Sequence, residues 1–205
     1  MTSPTPTAAA APASRIPLAL PILLIVGGLA GLIAAFNLTL DDLALLKNPD
    51  AALSCSVNAF IQCGKNIQSP QGNVFGFPNP ILGLMMFPAP IAVGVGLLAR
   101  ARFAAWFWWL FLAGMTFAMG FVLWLASESI FSLHTLCPWC ALVYLAVTPM
   151  WFATVLHVFR EGYAGTALAK VGRVLTPWIP LLTILVYLAI FGTAQLQLGL
   201  LQSLL

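Results

Sequence analysis

The chain has 205 residues, 61% of them hydrophobic and 6% charged, with a mean hydropathy of +1.01. Soluble domains carry roughly one-quarter charged residues, so a water-soluble globular protein is excluded and an integral membrane protein is indicated. The net charge of +3 comes from basic residues scattered along the chain, with no cluster of the kind that nucleic acid or an anionic lipid surface requires.

Residues 1–14 are rich in Ala, Pro, Ser and Thr without a hydrophobic period, and read as a disordered leader. Five apolar runs follow, near 16–36, 80–99, 103–126, 137–157 and 177–197, each of about the 20 residues that cross a hydrocarbon core. The first run also admits a cleaved signal peptide, with small residues at Ala34 and Ala35, but it is longer than the usual apolar region of such a peptide. Lipid leaves long apolar segments little choice but helix, so the expected fold is an all-α membrane bundle. Orientation follows from Lys and Arg, which are retained in the cytoplasm near span ends. With the N-terminus inside, Arg15, Arg100, Arg102, Arg160, Lys170 and Arg173 are cytoplasmic and only Lys47 and Lys65 are outside. That arrangement puts the 37–79 loop, the 127–136 loop and the C-terminus on the outer face, together with all four cysteines, where disulfides persist.

The cysteines form two unlike pairs. Cys137-Pro138-Trp139-Cys140 opens the fourth span with no Asp, Glu, Lys or Arg within eight positions on either side. Residues three apart at a helix start share a face at a separation a disulfide bridges. Pro138 suits the first helical turn, and a helix N-terminus favours the thiolate, the reactive form of a cysteine. Cys55 and Cys63 lie in the long outer loop, spaced C-x7-C. In a regular helix they would stand about 12 Å apart along the axis, beyond the limit of about 7 Å between Cα atoms, so they pair only where the segment bends or moves. A mobile loop pair beside a fixed pair at the membrane suits an electron relay. Zinc binding fits poorly, because structural sites use two short-spaced pairs in a soluble module, and no metal is expected. Two static disulfides remain a bland alternative, although the mouth of an apolar bundle is an odd place for a staple.

Other residues have ordinary readings. Asn79 before Pro80 suits a helix N-cap. Tyr144 suits either the interfacial aromatic belt or, four residues after Cys140 on one helix face, the wall of a pocket that Thr148 would continue. Trp106, Trp108 and Trp109 read as interface anchors, Asp41, Asp42 and Glu128 as solvated outer charges, and His134 as a bystander to Cys137.

Taken together, the C-x7-C loop, Asn79-Pro80-Ile81-Leu82-Gly83 opening the second span, and Cys137-Pro138-Trp139-Cys140 followed by Tyr144 resemble the vitamin K epoxide reductase family over roughly residues 16–160. The resemblance implies a four-helix catalytic core, placed at 15–160 with the outer loop 37–79, while 161–205 supply a cytoplasmic loop and a fifth transmembrane helix. It implies that Cys137 and Cys140 are the active-site pair, with Cys140 next to a quinone. By the same resemblance Cys63 forms an interchange disulfide with Cys137, and Cys55 is the shuttle cysteine that meets an outside partner. Asn79 and Tyr144 match the groups that hydrogen-bond the quinone carbonyls in some members, although others use Ser or Thr. Bacterial members often carry a thioredoxin-like domain after the fifth span; this chain stops at Leu205, so a separate thioredoxin-like partner is expected, with menaquinone or ubiquinone as acceptor.

The expected activity is therefore that of a cell-membrane thiol:quinone oxidoreductase supporting disulfide formation outside the cytoplasm. The other quinone-linked bacterial disulfide oxidase places its membrane CxxC before the shuttle pair, the reverse of the order here. A reductase working to make reduced quinone shares the same chemistry and is not separated by sequence. A non-catalytic scaffold or transporter would call for charges along a path through the spans, and these spans hold essentially none.

Overall fold

The computed structural model describes residues 18–56 and 61–198; the expected leader at 1–14 and Arg15 lie outside them. Among the described residues the regular structure is helical, with one isolated bridge between Ile61 and Leu136 and no β-strand. The helices are α1 (Ala19–Lys47), α2 (Gly64–Gln68), α3 (Asn79–Met86), α4 (Pro88–Leu98), α5 (Ala105–Ser127), α6 (Pro138–Arg160), α7 (Thr166–Leu175) and α8 (Ile179–Leu198). Among the described residues five helical stretches are long and apolar enough to cross a membrane: α1, α3 with α4, α5 with the turn after it, α6, and α7 with α8. The protein is a multi-pass membrane protein.

α1 is the central strut, packed against α3, α4 and α6. Gly27, Gly28, Gly31, Ala34 and Ala35 give it a buried face of small residues, which lets helices approach closely where lipid offers no hydrophobic drive for association. Ala34 and Ala35 thus sit in mid-helix inside the bundle. A Cβ at Gly31 would overlap the ring of Phe87, which stands between α3 and α4. Gly31→Val is therefore expected to lower the thermal midpoint in detergent by the equivalent of about 1–3 kcal/mol, the usual cost of overpacking. Gly114→Val serves as the control, since an added Cβ there meets nothing within 4 Å. Equal midpoints for the two variants would contradict the close packing of α1.

α1 runs on to Lys47 rather than ending near residue 36. Leu38, Leu45 and Asp41 explain the extension: the leucines pack on the cysteine cluster and Asp41 is engaged by the following loop. The second span is broken at Phe87, where Pro88 and Pro90, which lack N–H groups, begin α4. α5 continues into a π-helical turn at Glu128–Leu133 and closes on His134 in the left-handed conformation, φ 53°.

Pro149 interrupts the ladder of α6, leaving the carbonyl of Leu145 without its usual donor. The hydroxyl of Tyr187 on α8 donates to that oxygen at 2.6 Å, as a bilayer demands of any freed backbone group. At the far end of the bundle Trp108 corrects an expectation. It is no interface anchor, being fully buried with its ring centroid 4.2 Å from that of His157, whereas Trp106 and Trp109 are exposed on the bundle surface.

Candidate functional site

The four cysteines meet at one end of the bundle. Cys137 is the N-cap of α6, its Sγ accepting from the amide of Cys140 at 3.3 Å, with Pro138 in the first turn. Both Cys137 and Cys140 are free thiols. Cys55 and Cys63 are joined in a disulfide with 5.8 Å between Cα atoms, closer than a regular helix between them would allow. Cys63 Sγ lies 3.1 Å from Cys137 Sγ. Leu38, Ile67, Leu53 and Trp139 pack around these sulfurs, leaving Cys55 only 4% and Cys63 0% exposed.

A small polar hub holds the two segments in register. Asn66 on α2 donates to Ser129 Oγ at 3.2 Å and accepts from Thr135 Oγ1 at 3.0 Å. Ser129 Oγ in turn donates to the carbonyl of Thr135, and the amide of Gln62 bonds to the carbonyl of Leu136 at 3.0 Å. The bonds from Asn66 and Gln62 link the chain beside Cys63 to the chain just before Cys137, and the Ser129 bond braces the latter. Buried groups of this kind are worth most when every member is satisfied, and the π-helical turn is what points Ser129 inward.

Asp41 is a correction to the sequence reading. It is buried, not solvated, and accepts from the Ser54 hydroxyl at 3.0 Å. Its Oδ2 also lies 3.3 Å from Cys55 Sγ. Ser54 is itself held by the indole N–H of Trp139, 3.3 Å away, so the second residue inside the CxxC motif reaches across to the loop pair. Asp41, Cys55 and Cys63 bring their ligand atoms within 4.8 Å of one another, but the disulfide leaves no thiolate for a cation in this state. A signal for Asp41 was present in the sequence: a carboxylate three residues after Leu38 in an apolar run is costly unless it has a task or a partner.

Beneath the cysteines an apolar cavity of about 480 Å³ opens between α3, α4, α5 and α6. This is within the size range of small-molecule sites. Cys140, Tyr144, Asn79, Gln71 and Glu128 are among its lining residues. Tyr144 is buried, which removes it from the interfacial belt, and its hydroxyl has no hydrogen-bond partner among the described residues. Thr148 does not continue the wall; its hydroxyl donates to the carbonyl of Tyr144 at 2.8 Å. Asn79 does not cap its helix, for the cap position falls to Pro78. Instead its amide donates to the carbonyl of Gln71 at 2.7 Å, tying the loop over the cavity. Glu128 is half-buried at the rim and accepts from Gln71 Nε2 at 3.2 Å. His134 is exposed, its Nδ1 3.2 Å from the carbonyl of Ser132.

A disulfide, a facing dithiol and an apolar cavity, assembled in a bundle of membrane-spanning helices, give this membrane protein a cysteine centre suited to redox chemistry. The chain belongs to the vitamin K epoxide reductase family, whose model matches residues 22–155. That is a family of membrane oxidoreductases that work with a redox partner and with a quinone as substrate or acceptor. Among curated proteins none matches the chain.

Proposed function

We propose that the chain is a thiol:quinone oxidoreductase that reoxidises a separate thioredoxin-like protein on the outer face of the cell membrane. The observation that carries this reading is the 3.1 Å approach of Cys63 Sγ, bonded to Cys55, to the free Cys137 Sγ. Exchange requires a thiolate to reach a disulfide sulfur, and these two sulfurs are already in contact.

The relay starts when a thiolate of the partner attacks Cys55, opening the loop disulfide and releasing Cys63. The partner's second thiol then displaces Cys55 and leaves as a disulfide. Cys63 attacks Cys137 in a Cys137–Cys140 disulfide, forming the Cys63–Cys137 bond and freeing Cys140. Cys55 then displaces Cys137 from Cys63, restoring the loop disulfide and leaving Cys137 and Cys140 as a dithiol. That dithiol, with Cys140 on the cavity wall, closes to its disulfide as two electrons and two protons pass to the quinone, for which menaquinone or ubiquinone is the proposed identity. The net change converts a dithiol and a quinone into a disulfide and a quinol. Tyr144 is assigned as donor to one quinone oxygen, and Glu128 as the carboxyl at the cavity rim that feeds protons. Asn79 offers the quinone its second amide hydrogen. The distribution of Lys and Arg supports the outward facing of the cysteine end.

Purified chain in nanodiscs, given a reduced thioredoxin-like donor and a soluble quinone analogue, is expected to bleach quinone absorbance in step with loss of donor thiols. No bleaching would end this reading. Tyr144→Phe is expected to raise KM for the quinone by about tenfold, the worth of one buried hydrogen bond, and an unchanged KM would remove Tyr144 from the quinone site. Impermeant thiol reagents applied to reduced whole cells check the facing, with Cys55 labelled only from outside.

A further inference from the structure

The cysteine chemistry leaves a buried carboxylate, Asp41, without a task. Asp41 stands on the part of α1 that extends past its expected end, packed under the loop disulfide. Its Oδ2 is 3.3 Å from Cys55 Sγ and accepts from Ser54 Oγ at 3.0 Å. The Ser54 amide and hydroxyl also approach Oδ1, at 3.4 and 3.3 Å. A buried carboxylate is costly unless it is held by donors, and three of its four close approaches come from one serine fixed by Trp139. That arrangement leaves Oδ2 aimed at the sulfur.

We propose that Asp41 is a catalytic residue of the relay, the general base that takes the proton of Cys55 when Cys55 resolves the Cys63–Cys137 disulfide. The inference rests on the relay described above and adds the proton that the relay must move. Before the step Cys55 is a thiol, Cys63 is bonded to Cys137, and Asp41 is a carboxylate. The Cys55 proton passes to Asp41 Oδ2 as Cys55 Sγ attacks Cys63 Sγ. The Cys55–Cys63 bond forms, the Cys63–Cys137 bond breaks, and its electron pair leaves on Cys137, which receives the amide of Cys140 at the helix start. No atom or electron is left over: one thiol, one disulfide and one carboxylate become one disulfide, one thiolate and one carboxylic acid. The structure has the geometry of the product side, with the Cys55–Cys63 bond made, Cys137 Sγ 3.1 Å from Cys63 and Asp41 still against Cys55. In the reverse direction the same carboxyl returns the proton to Cys55 as it leaves.

The test uses the whole chain in nanodiscs, with a reduced thioredoxin-like protein as dithiol donor and a soluble quinone analogue, and reads both turnover and the trapped sulfur species. Samples are quenched in acid, alkylated and mapped by mass spectrometry. Asp41→Asn keeps the size and an acceptor for Ser54 but not the base. It is expected to slow turnover about 100-fold, the lower end of general-base contributions, and to make the Cys63–Cys137 disulfide the predominant species. Asp42→Asn, the neighbouring carboxylate, is expected to stay within twofold of the parent. Turnover of Asp41→Asn within threefold of the parent overturns the proposal, and so does slowing without accumulation of the Cys63–Cys137 species. Should Asp41→Asn not fold, Asp41→Glu retains a carboxyl and is expected to keep at least a tenth of the parent rate without that species accumulating; a Glu variant as stalled as a base-free site overturns it. A second arm omits quinone and oxidises the reduced chain with a stoichiometric pulse of diamide, scoring the same species over time. Loss of quinone reduction in the parent protein would then sink the relay, while the diamide arm still decides the role of Asp41.

Discussion

Cys140→Ala is expected to abolish quinone reduction while leaving thiol exchange at the loop intact. Cys140 is the one cysteine among those lining the cavity, whereas Cys137 is turned toward Cys63, sulfur to sulfur at 3.1 Å. Removing Cys140 separates the two halves of the reaction. Cys137 can still exchange with Cys63, and a dithiol donor can still reduce the Cys55–Cys63 disulfide, but the electrons have no sulfur from which to enter the cavity. The measurement pairs quinone absorbance with a count of free thiols after addition of the donor. The expected result is absorbance that stays at background with donor thiols consumed once and no further. Continued turnover would mean that Cys137 alone reaches the acceptor, and the division of labour proposed for the CxxC pair would fall.

Cys63→Ala is expected to be equally inactive and to stop at a different place. Cys55 is left as a lone thiol, and exposure to an oxidised thioredoxin-like partner yields an adduct through Cys55 that the chain has no second loop cysteine to resolve. Acid quenching preserves that adduct against back-attack, and peptide mapping identifies the sulfur. An adduct mapping to Cys137 would show that the partner bypasses the loop and that Cys55 is not the shuttle. Each variant removes one sulfur but blocks the whole path, as expected of groups acting in series and not as independent contributors.

The spans and the cysteine pairs were legible in the sequence because both signals are local. Long apolar runs declare themselves by length, and C-P-W-C declares itself by spacing. What failed to show depended on partners distant along the chain. Asp41 stands out as a carboxylate in an apolar run, but its partners Ser54 and Cys55, 13 and 14 positions on, are known only once the loop folds back over it. The same fold-back explains why α1 outruns its apolar segment to reach Lys47. Trp108 resembles its neighbours Trp106 and Trp109 in sequence, and only the packing of α5 against His157 on α6 distinguishes it. Asn79 carried a good local cap signal, yet its side chain is claimed by the loop at Gln71. The hub of Asn66, Ser129 and Thr135 is unreadable in advance, since it joins residues some sixty to seventy positions apart.

The burial of the loop disulfide has a consequence for selectivity. Cys55 and Cys63 are shielded by Leu53, Ile67 and Trp139, so a small monothiol drifting past meets hydrocarbon and indole instead of sulfur. In the proposed relay a protein donor would gain entry by docking on the loop and displacing those side chains with its own surface. Insulation of this kind would slow the draining of the acceptor by bulk thiols and leave the choice of donor to shape, making the fold a filter as well as a conductor.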